Sequence, residues 1–245
     1  MIIFADFDGT LCDYGDSSVL ARNLRAISDW HRTGNYFCVA TGRNLASLER
    51  IIPDYKQYFD FLILDNGSFC INQSKEIMFD FTIDRDLTNE VIKQIRATAN
   101  NFETMFYHDF REALLPFHRN TKARAWMPDG GQTDVVANGL RKDFADKVKI
   151  YSVHNVMPTN GIINRSHHAF VDIIPIDSGK ESAVRVLSET LNENNIITVG
   201  DGINDYDMIK KYDGYAMAHA KEVVLQMVQP DHRVSSVSEL IYRLL

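Results

Sequence analysis

Short apolar runs alternate with helix-patterned segments along this chain, and that alternation narrows its fold more than anything else. Met1-Ile2-Ile3-Phe4-Ala5 reads as a buried strand because it is short, apolar and uncharged until Asp6. From Val19 to His31, the residues Leu20, Leu24, Ile27 and Trp30 recur on one helical face, and Gly34 supplies a C-terminal stop. Tyr36 to Ala40 is a second strand, Leu45 to Ile52 a helix halted at Pro53, and Phe61 to Leu64 a third strand. The rhythm resumes late, with a helix from Lys180 to about Leu191 and a strand at 196–199. A helix from Tyr206 to Tyr212, a strand from Tyr215 to Ala218 and a closing helix from Val237 to Leu245 follow. This order predicts an α/β fold, a Rossmann-like parallel sheet with crossover helices. Ligands of such sheets bind beyond the carboxyl ends of the strands.

Between about 82 and 176 the rhythm changes. Leu87, Val91, Ile92 and Ile95 mark a helix, Glu103 to Tyr107 a strand, and Val135 to Phe144 a second helix. Lys147 to Val153 and Ala169 to Ile174 read as strands, so this stretch is expected to form an α+β module. Two domains follow: a core from 1–81 and 177–245, and an inserted domain at 82–176. A chain of 245 residues is long enough to bury both.

The formal net charge of −7 argues against a nucleic-acid partner, which would need a basic stripe. No apolar run approaches membrane-spanning length, and Asp6 interrupts the first one too early for a signal peptide. Cys12, Cys38 and Cys70 share no metal-like spacing and read as reduced thiols of a cytoplasmic protein.

Polar residues gather where the apolar runs stop. Asp6-Phe7-Asp8-Gly9-Thr10 ends the first, Thr41-Gly42-Arg43 the second and Asp65-Asn66-Gly67 the third. Asp177-Ser178-Gly179-Lys180 opens a helix, and Gly200-Asp201-Gly202-Ile203-Asn204-Asp205 ends a later run. Carboxylates as close as Asp6 and Asp8 repel, so a cation explains them better than packing does. Lys180 stands in a helix's first turn, where the macrodipole disfavours a cation and only another interaction would favour it. Each motif alone also has a plain reading: an acidic turn, an ordinary strand end, an Asx-turn or a helix cap. Arg43 could clamp a phosphate through both arms or pair with a core carboxylate.

Taken in order, these motifs resemble the haloacid dehalogenase superfamily of phosphohydrolases. The stretch Gly200 to Met208 is similar to that of its Cof-type branch, sugar-phosphate phosphatases with a large cap inserted after the second motif. The resemblance implies that Asp6 is the nucleophile and Asp8 the general acid and base. Thr41 and Lys180 would act on the phosphoryl oxygens, with Gly42, Arg43, Asn66 and Asn204 as further substrate contacts. It implies Mg²⁺ on the Asp6 carboxylate, the Asp8 carbonyl and Asp201, with Asp205 bound through water or orienting Asp201. The substrate would be a small phosphorylated metabolite such as a sugar phosphate. A phosphotransferase on the same fold and a non-catalytic sugar-phosphate binder remain alternatives; Thr41-Gly42-Arg43 favours the phosphatase, and retention of both Asp6 and Asp8 speaks against the binder. Asn66-Gly67 would be a hinge or a substrate contact.

The resemblance assigns the inserted domain to substrate choice. Its His108, Arg111, His118, Arg119, Lys122, Arg124, Arg165, His167 and His168 offer donors, most of them expected to be solvated surface charges. Tyr107 and Trp126 are expected in the core. Two departures stand out: Ala218-His219-Ala220 where Gly-Asn-Ala is common in the branch, and Glu181 where Gly is common.

Overall fold

The structure, a computed structural model, describes residues 1–13, 16–99, 101–108, 111–127, 130–154 and 169–245. The chain divides into two compact units, Met1–Phe79 with Gly179–Leu245, and Asp80–Ser178.

Strand β1 (Ile2–Ala5) is followed by helix α1 (Ser17–Arg32), β2 (Tyr36–Ala40), α2 (Leu45–Glu49) and β3 (Phe61–Leu64). Helix α1 starts where the Asp16 carboxylate accepts the Ser18 amide, and it buries Ala26, Ile27 and Trp30. Two strands absent from the sequence reading come next, β4 (Phe69–Asn72) and β5 (Ile77–Asp80). They extend the sheet beyond β3, with β4 antiparallel to it.

The second unit holds β6 (Ile83–Asp84), α3 (Arg85–Thr98), β7 (Glu103–His108), β8 (Arg111–Ala113), β9 (Arg119–Asn120) and β10 (Lys122–Met127). Helix α4 (Gly130–Phe144), β11 (Val148–His154) and β12 (Ala169–Pro175) complete it. Its sheet runs β11-β12-β10-β7-β8. Val91, Ile92 and Ile95 of α3 and Val136, Ala137 and Leu140 of α4 pack on Phe106, Ala123, Ala125, Met127, Val171 and Ile173, a two-layer α+β core. Alternation along β10 sends Lys122, Arg124 and Trp126 to the other face.

Lys122 and Arg124 correct the expectation of solvated charges. Lys122 is 1% exposed with its ammonium 4.0 Å from the Tyr107 ring centroid. Arg124 donates Nε and Nη2 to the Asp172 carboxylate at 2.6 and 2.8 Å, and its guanidinium lies 3.7 Å from the Phe170 centroid. Tyr107 and Trp126 are buried, as expected. Arg165, His167 and His168 lie outside the described residues.

The chain returns to the first unit through α5 (Lys180–Leu191), β13 (Ile196–Gly200), α6 (Tyr206–Lys211), β14 (Asp213–Met217), α7 (Glu222–Leu225), β15 (Arg233–Val234) and α8 (Val237–Leu244). The sheet order is β15-β14-β13-β1-β2-β3-β4-β5, parallel from β15 to β3. Every residue of β1 and β3 is buried, as parallel strands covered on both faces require. From β1 the chain steps to β2 on one side; from β13 it steps to β14 on the other. The β1/β13 boundary is therefore a topological switch point, where open α/β sheets leave a crevice beyond the strand ends. Among the described residues, no helix is long and apolar enough to cross a membrane.

Candidate active site

Asp6 follows β1 directly and Asp201 follows β13, so the switch point brings together residues far apart in sequence. Lys180, the first residue of α5, is 1% exposed. Its ammonium donates to Asp6 Oδ1 and to Asp205 Oδ1, each at 2.5 Å. The unfavourable helix position is thus offset by two carboxylates. Burial alone would lower the Lys180 pKa, yet Asp205 and Asp6 together push it above the ordinary lysine value.

The backbone supports that placement. Gly67 has φ +95°, and a Cβ there would lie 2.3 Å from the Gly179 carbonyl. The turn after β3 can therefore press against the start of α5 only with glycine at 67.

Asp205 is buried and engaged on both oxygens. Besides Lys180 on Oδ1, its Oδ2 accepts the amides of Asp201 at 3.1 Å and Gly202 at 2.9 Å. Asp205 therefore orients the Asp201 loop. Thr10 Oγ1 donates to Asp201 Oδ1 at 3.3 Å. Burial, reinforced by neighbouring carboxylates, holds Asp6 well above the usual carboxylate range even against Lys180. Asp201 is raised by burial and then by Asp205. One ammonium does not neutralise these carboxylates.

That imbalance tests the fit of a divalent cation. Oxygens of Asp6, Asp201 and Asp205 lie within 4.8 Å of one another. An all-oxygen donor set with surplus negative charge suits Mg²⁺, and such an ion would reverse the upward pKa shifts. With Asp205 committed to Lys180 and to backbone amides, Asp6 and Asp201 are the carboxylates left to hold it.

Asp8 turns to a different partner. Arg43 donates Nε to Asp8 Oδ2 at 2.8 Å and Nη2 to Oδ1 at 2.7 Å, while Nη1 donates to Ser47 Oγ at 2.7 Å. Of the two readings open for Arg43, the structure shows the carboxylate pair. Thr41 is fully buried, and its Oγ1 accepts the Arg43 amide at 3.1 Å, which leaves its hydroxyl hydrogen to donate. Asp65 and Asn66 both adopt left-handed backbone, at φ 53° and 57°. Such strain is uncommon for residues other than glycine and concentrates at functional sites. It is held by the Asp65 amide on the Arg43 carbonyl and the Asn66 amide on the Thr41 carbonyl, each at 2.9 Å. The Asn66 side chain abuts Gly42 and accepts from Asn204 Nδ2 at 3.1 Å, linking the turns after β2, β3 and β13.

Every site residue expected from the sequence thus belongs to the first unit, at the ends of β1, β2, β3 and β13 and the start of α5. Sequence reasoning gave no role to Thr10, Ser47 or His219, which hold Asp201, Arg43 and the Gly9 carbonyl. The signals available were Thr10 within the first motif, Ser47 a helical turn after Arg43, and His219 in a tripeptide that departs from the common Gly-Asn-Ala. Cys12 is pushed up to about 11 by burial and by Asp8, which keeps it an unreactive thiol.

A sequence profile of the haloacid dehalogenase-like hydrolases matches residues 3–128 and 129–230. No curated protein matches the chain. Among solved structures, a haloacid dehalogenase-like hydrolase from B. subtilis superposes with a TM-score of 0.79 at 16% identity, covering 100% of this chain and 99% of that one. One from Bacteroides thetaiotaomicron gives 0.75 at 21% identity, over 100% and 99% of the two chains. A phosphatase of the same superfamily from Bacteroides thetaiotaomicron gives 0.73 at 18%, over 99% and 93%. These likenesses establish the fold.

Proposed function

The chain belongs to the haloacid dehalogenase-like hydrolase family, and from that premise we propose that it is a Mg²⁺-dependent phosphatase acting in the cytoplasm on a small phosphorylated metabolite, a sugar phosphate above all. The observation that carries this reading is the buried Lys180 ammonium shared between Asp6 and Asp205, with Asp201 alongside. It puts a nucleophilic carboxylate, a fixed cation and an oxygen-donor cluster at one strand-end crevice.

In the first displacement an Asp6 oxygen attacks phosphorus, forming a P–O bond to the carboxylate while the bond to the ester oxygen breaks. Asp8 delivers a proton to the departing alkoxide. In the second, Asp8 takes a proton from water, whose oxygen displaces the Asp6 carboxylate and releases inorganic phosphate. The bidentate Arg43 contact fits the ionised Asp8 of this second half; to act as an acid, one Asp8 oxygen must exchange an N–H of Arg43 for a proton. Lys180 and the Thr41 hydroxyl neutralise charge on the phosphoryl oxygens, the main catalytic demand of phosphoryl transfer. Asp6 and Asp201 would hold Mg²⁺, whose positive charge supplies further neutralisation.

The second unit is the proposed selector among phosphorylated metabolites, and neither nucleic acid nor a membrane is a proposed partner. The test is release of inorganic phosphate from a panel of sugar and polyol phosphates with Mg²⁺ or with EDTA. Release that needs Mg²⁺ and no acceptor alcohol supports the reading; none from any ester overturns it.

A further inference from the structure

We propose that His219 is a positioning residue that ties the Asp8-Gly9-Thr10 turn across to the Asp201 loop, so that the two acidic strand ends keep the spacing that cation and phosphoryl binding demand. Its effect on turnover rests on the phosphatase reading; its effect on loop order rests on geometry alone.

His219 Nε2 lies 2.8 Å from the Gly9 carbonyl oxygen. A carbonyl only accepts, so Nε2 carries the hydrogen, whatever the charge of the ring. Two residues on, the Lys221 amide donates to the Asp201 carbonyl at 3.0 Å. One short loop after β14 therefore grips the turn that follows β1 and the turn that follows β13.

Contact between those turns is close. Gly9 has φ +84°, and a Cβ there would sit 2.7 Å from Asp201 Oδ2. The turn's backbone lies flush against the Asp201 carboxylate, in the left-handed region that glycine adopts most readily. Asp6, Asp8, Asp201 and Asp205 crowd these ends, and their mutual repulsion acts to splay them. A hydrogen bond that crosses from the β14 loop to the β1 turn opposes that splaying. His219 is exposed, so the ring contributes little to the core and its removal tests the bond rather than the fold.

The experiment compares the full chain with His219→Ala and His219→Gln. Glutamine reaches with a neutral N–H donor, so it keeps the bond without any charge. The first readout is hydrogen–deuterium exchange over residues 7–12, where the Gly9 amide bonds the Cys12 carbonyl and the Cys12 amide bonds the Phe7 carbonyl. The second is Mg²⁺ affinity by calorimetry, and the third is kcat and KM on p-nitrophenyl phosphate. His219→Ala should speed exchange over 7–12 and weaken Mg²⁺ affinity about 5- to 10-fold, the upper range for losing one hydrogen bond. It should lower kcat more than it raises KM, and His219→Gln should stay within about threefold of the parent on each readout. The proposal is overturned if His219→Ala exchanges and binds Mg²⁺ like the parent, or if glutamine is as poor as alanine. Should the parent hydrolyse no phosphate ester, the phosphatase reading fails while the exchange and calorimetry still decide the role of His219.

Discussion

Arg43 holds Asp8 by both carboxylate oxygens, at 2.8 Å through Nε and 2.7 Å through Nη2, and is itself braced by Ser47. The pair spans the ends of β1 and β2, fixing the proposed acid–base group against the Thr41 turn. Lysine could supply the charge but not the fork. Arg43→Ala and Arg43→Lys should therefore both lower kcat/KM on a sugar phosphate by about 10²-fold or more, within the range of general acid–base contributions. On p-nitrophenyl phosphate, whose leaving group needs no proton, the first displacement should be hit less. Steady-state kinetics with both esters check this, and equal losses on the two would place Arg43 on the phosphoryl group instead.

Asp6→Asn should lower turnover by about 10⁴-fold or more, because the attacking oxygen is lost and no neighbouring group can replace it. The circular dichroism spectrum should not change. Phosphate release near the parental rate by a clean preparation would remove Asp6 from its assigned role.

Lys180→Met leaves Asp6 and Asp205 buried without their shared cation. Breaking a buried ion pair in this one-sided way costs about 3–5 kcal/mol. Urea denaturation should show that loss, and adding Asp205→Asn should recover part of it by removing one stranded charge. A double variant no more stable than Lys180→Met would show that charge is not what Lys180 balances.

Without metal, stability should fall as pH rises. Asp6 and Asp201 have folded pKa values raised above 3.8, so between that value and their raised ones these two groups bind more protons folded than unfolded. Stability is then lost as pH rises through the raised folded values. Thermal melts in EDTA over a pH series rising from about pH 4 should show Tm falling across the raised range, and Mg²⁺ should shrink or reverse the fall. A Tm in EDTA that climbs over this window would contradict the prediction.

In the second unit, the structure separates two kinds of cation. His118 and Arg119 are exposed, whereas Lys122 is buried and Arg124 half-buried against Asp172. Alanine at 118 or 119 is expected to shift kcat/KM among sugar phosphates, with little change on an aryl phosphate. Arg124→Ala should instead destabilise the protein by about 1.5–3 kcal/mol, since both of its hydrogen bonds to the buried Asp172 carboxylate are lost. A paired kinetic and melting scan distinguishes the two behaviours.

The parallel core was legible because its strands are short, apolar and abruptly ended by Asp6, Thr41, Asp65 and Asp201. Strand β10 was not, because Lys122-Ala123-Arg124-Ala125-Trp126-Met127 alternates charge with small residues of weak strand preference. Its charges are held by Asp172, Tyr107 and Phe170, partners set by cross-strand register and invisible locally. Strand β4 hid behind the left-handed turn at Asp65-Asn66, which reverses the chain. Within the site, strand ends marked which residues gather there. Spacing could not tell that Arg43 takes Asp8, or that His219 reaches Gly9, because loops distant in sequence meet only in the folded sheet.

The division of the first unit into Met1–Phe79 and Gly179–Leu245 also sets the order in which this protein can assemble on a ribosome. The segment Asp80–Ser178 is continuous, so its core can close as soon as it has emerged. Strand β1, made before the second unit, lacks its β13 neighbour until residues 196–200 appear, and a non-local pairing of this kind folds slowly. Until then Ile2, Ile3 and Phe4 have one flank open, and Asp6 has no Lys180. The Asp6 carboxylate is synthesised well before Lys180, and it meets this cation only once the whole second unit has been made. A prematurely terminated chain would carry a finished second unit and an inert, exposed first strand.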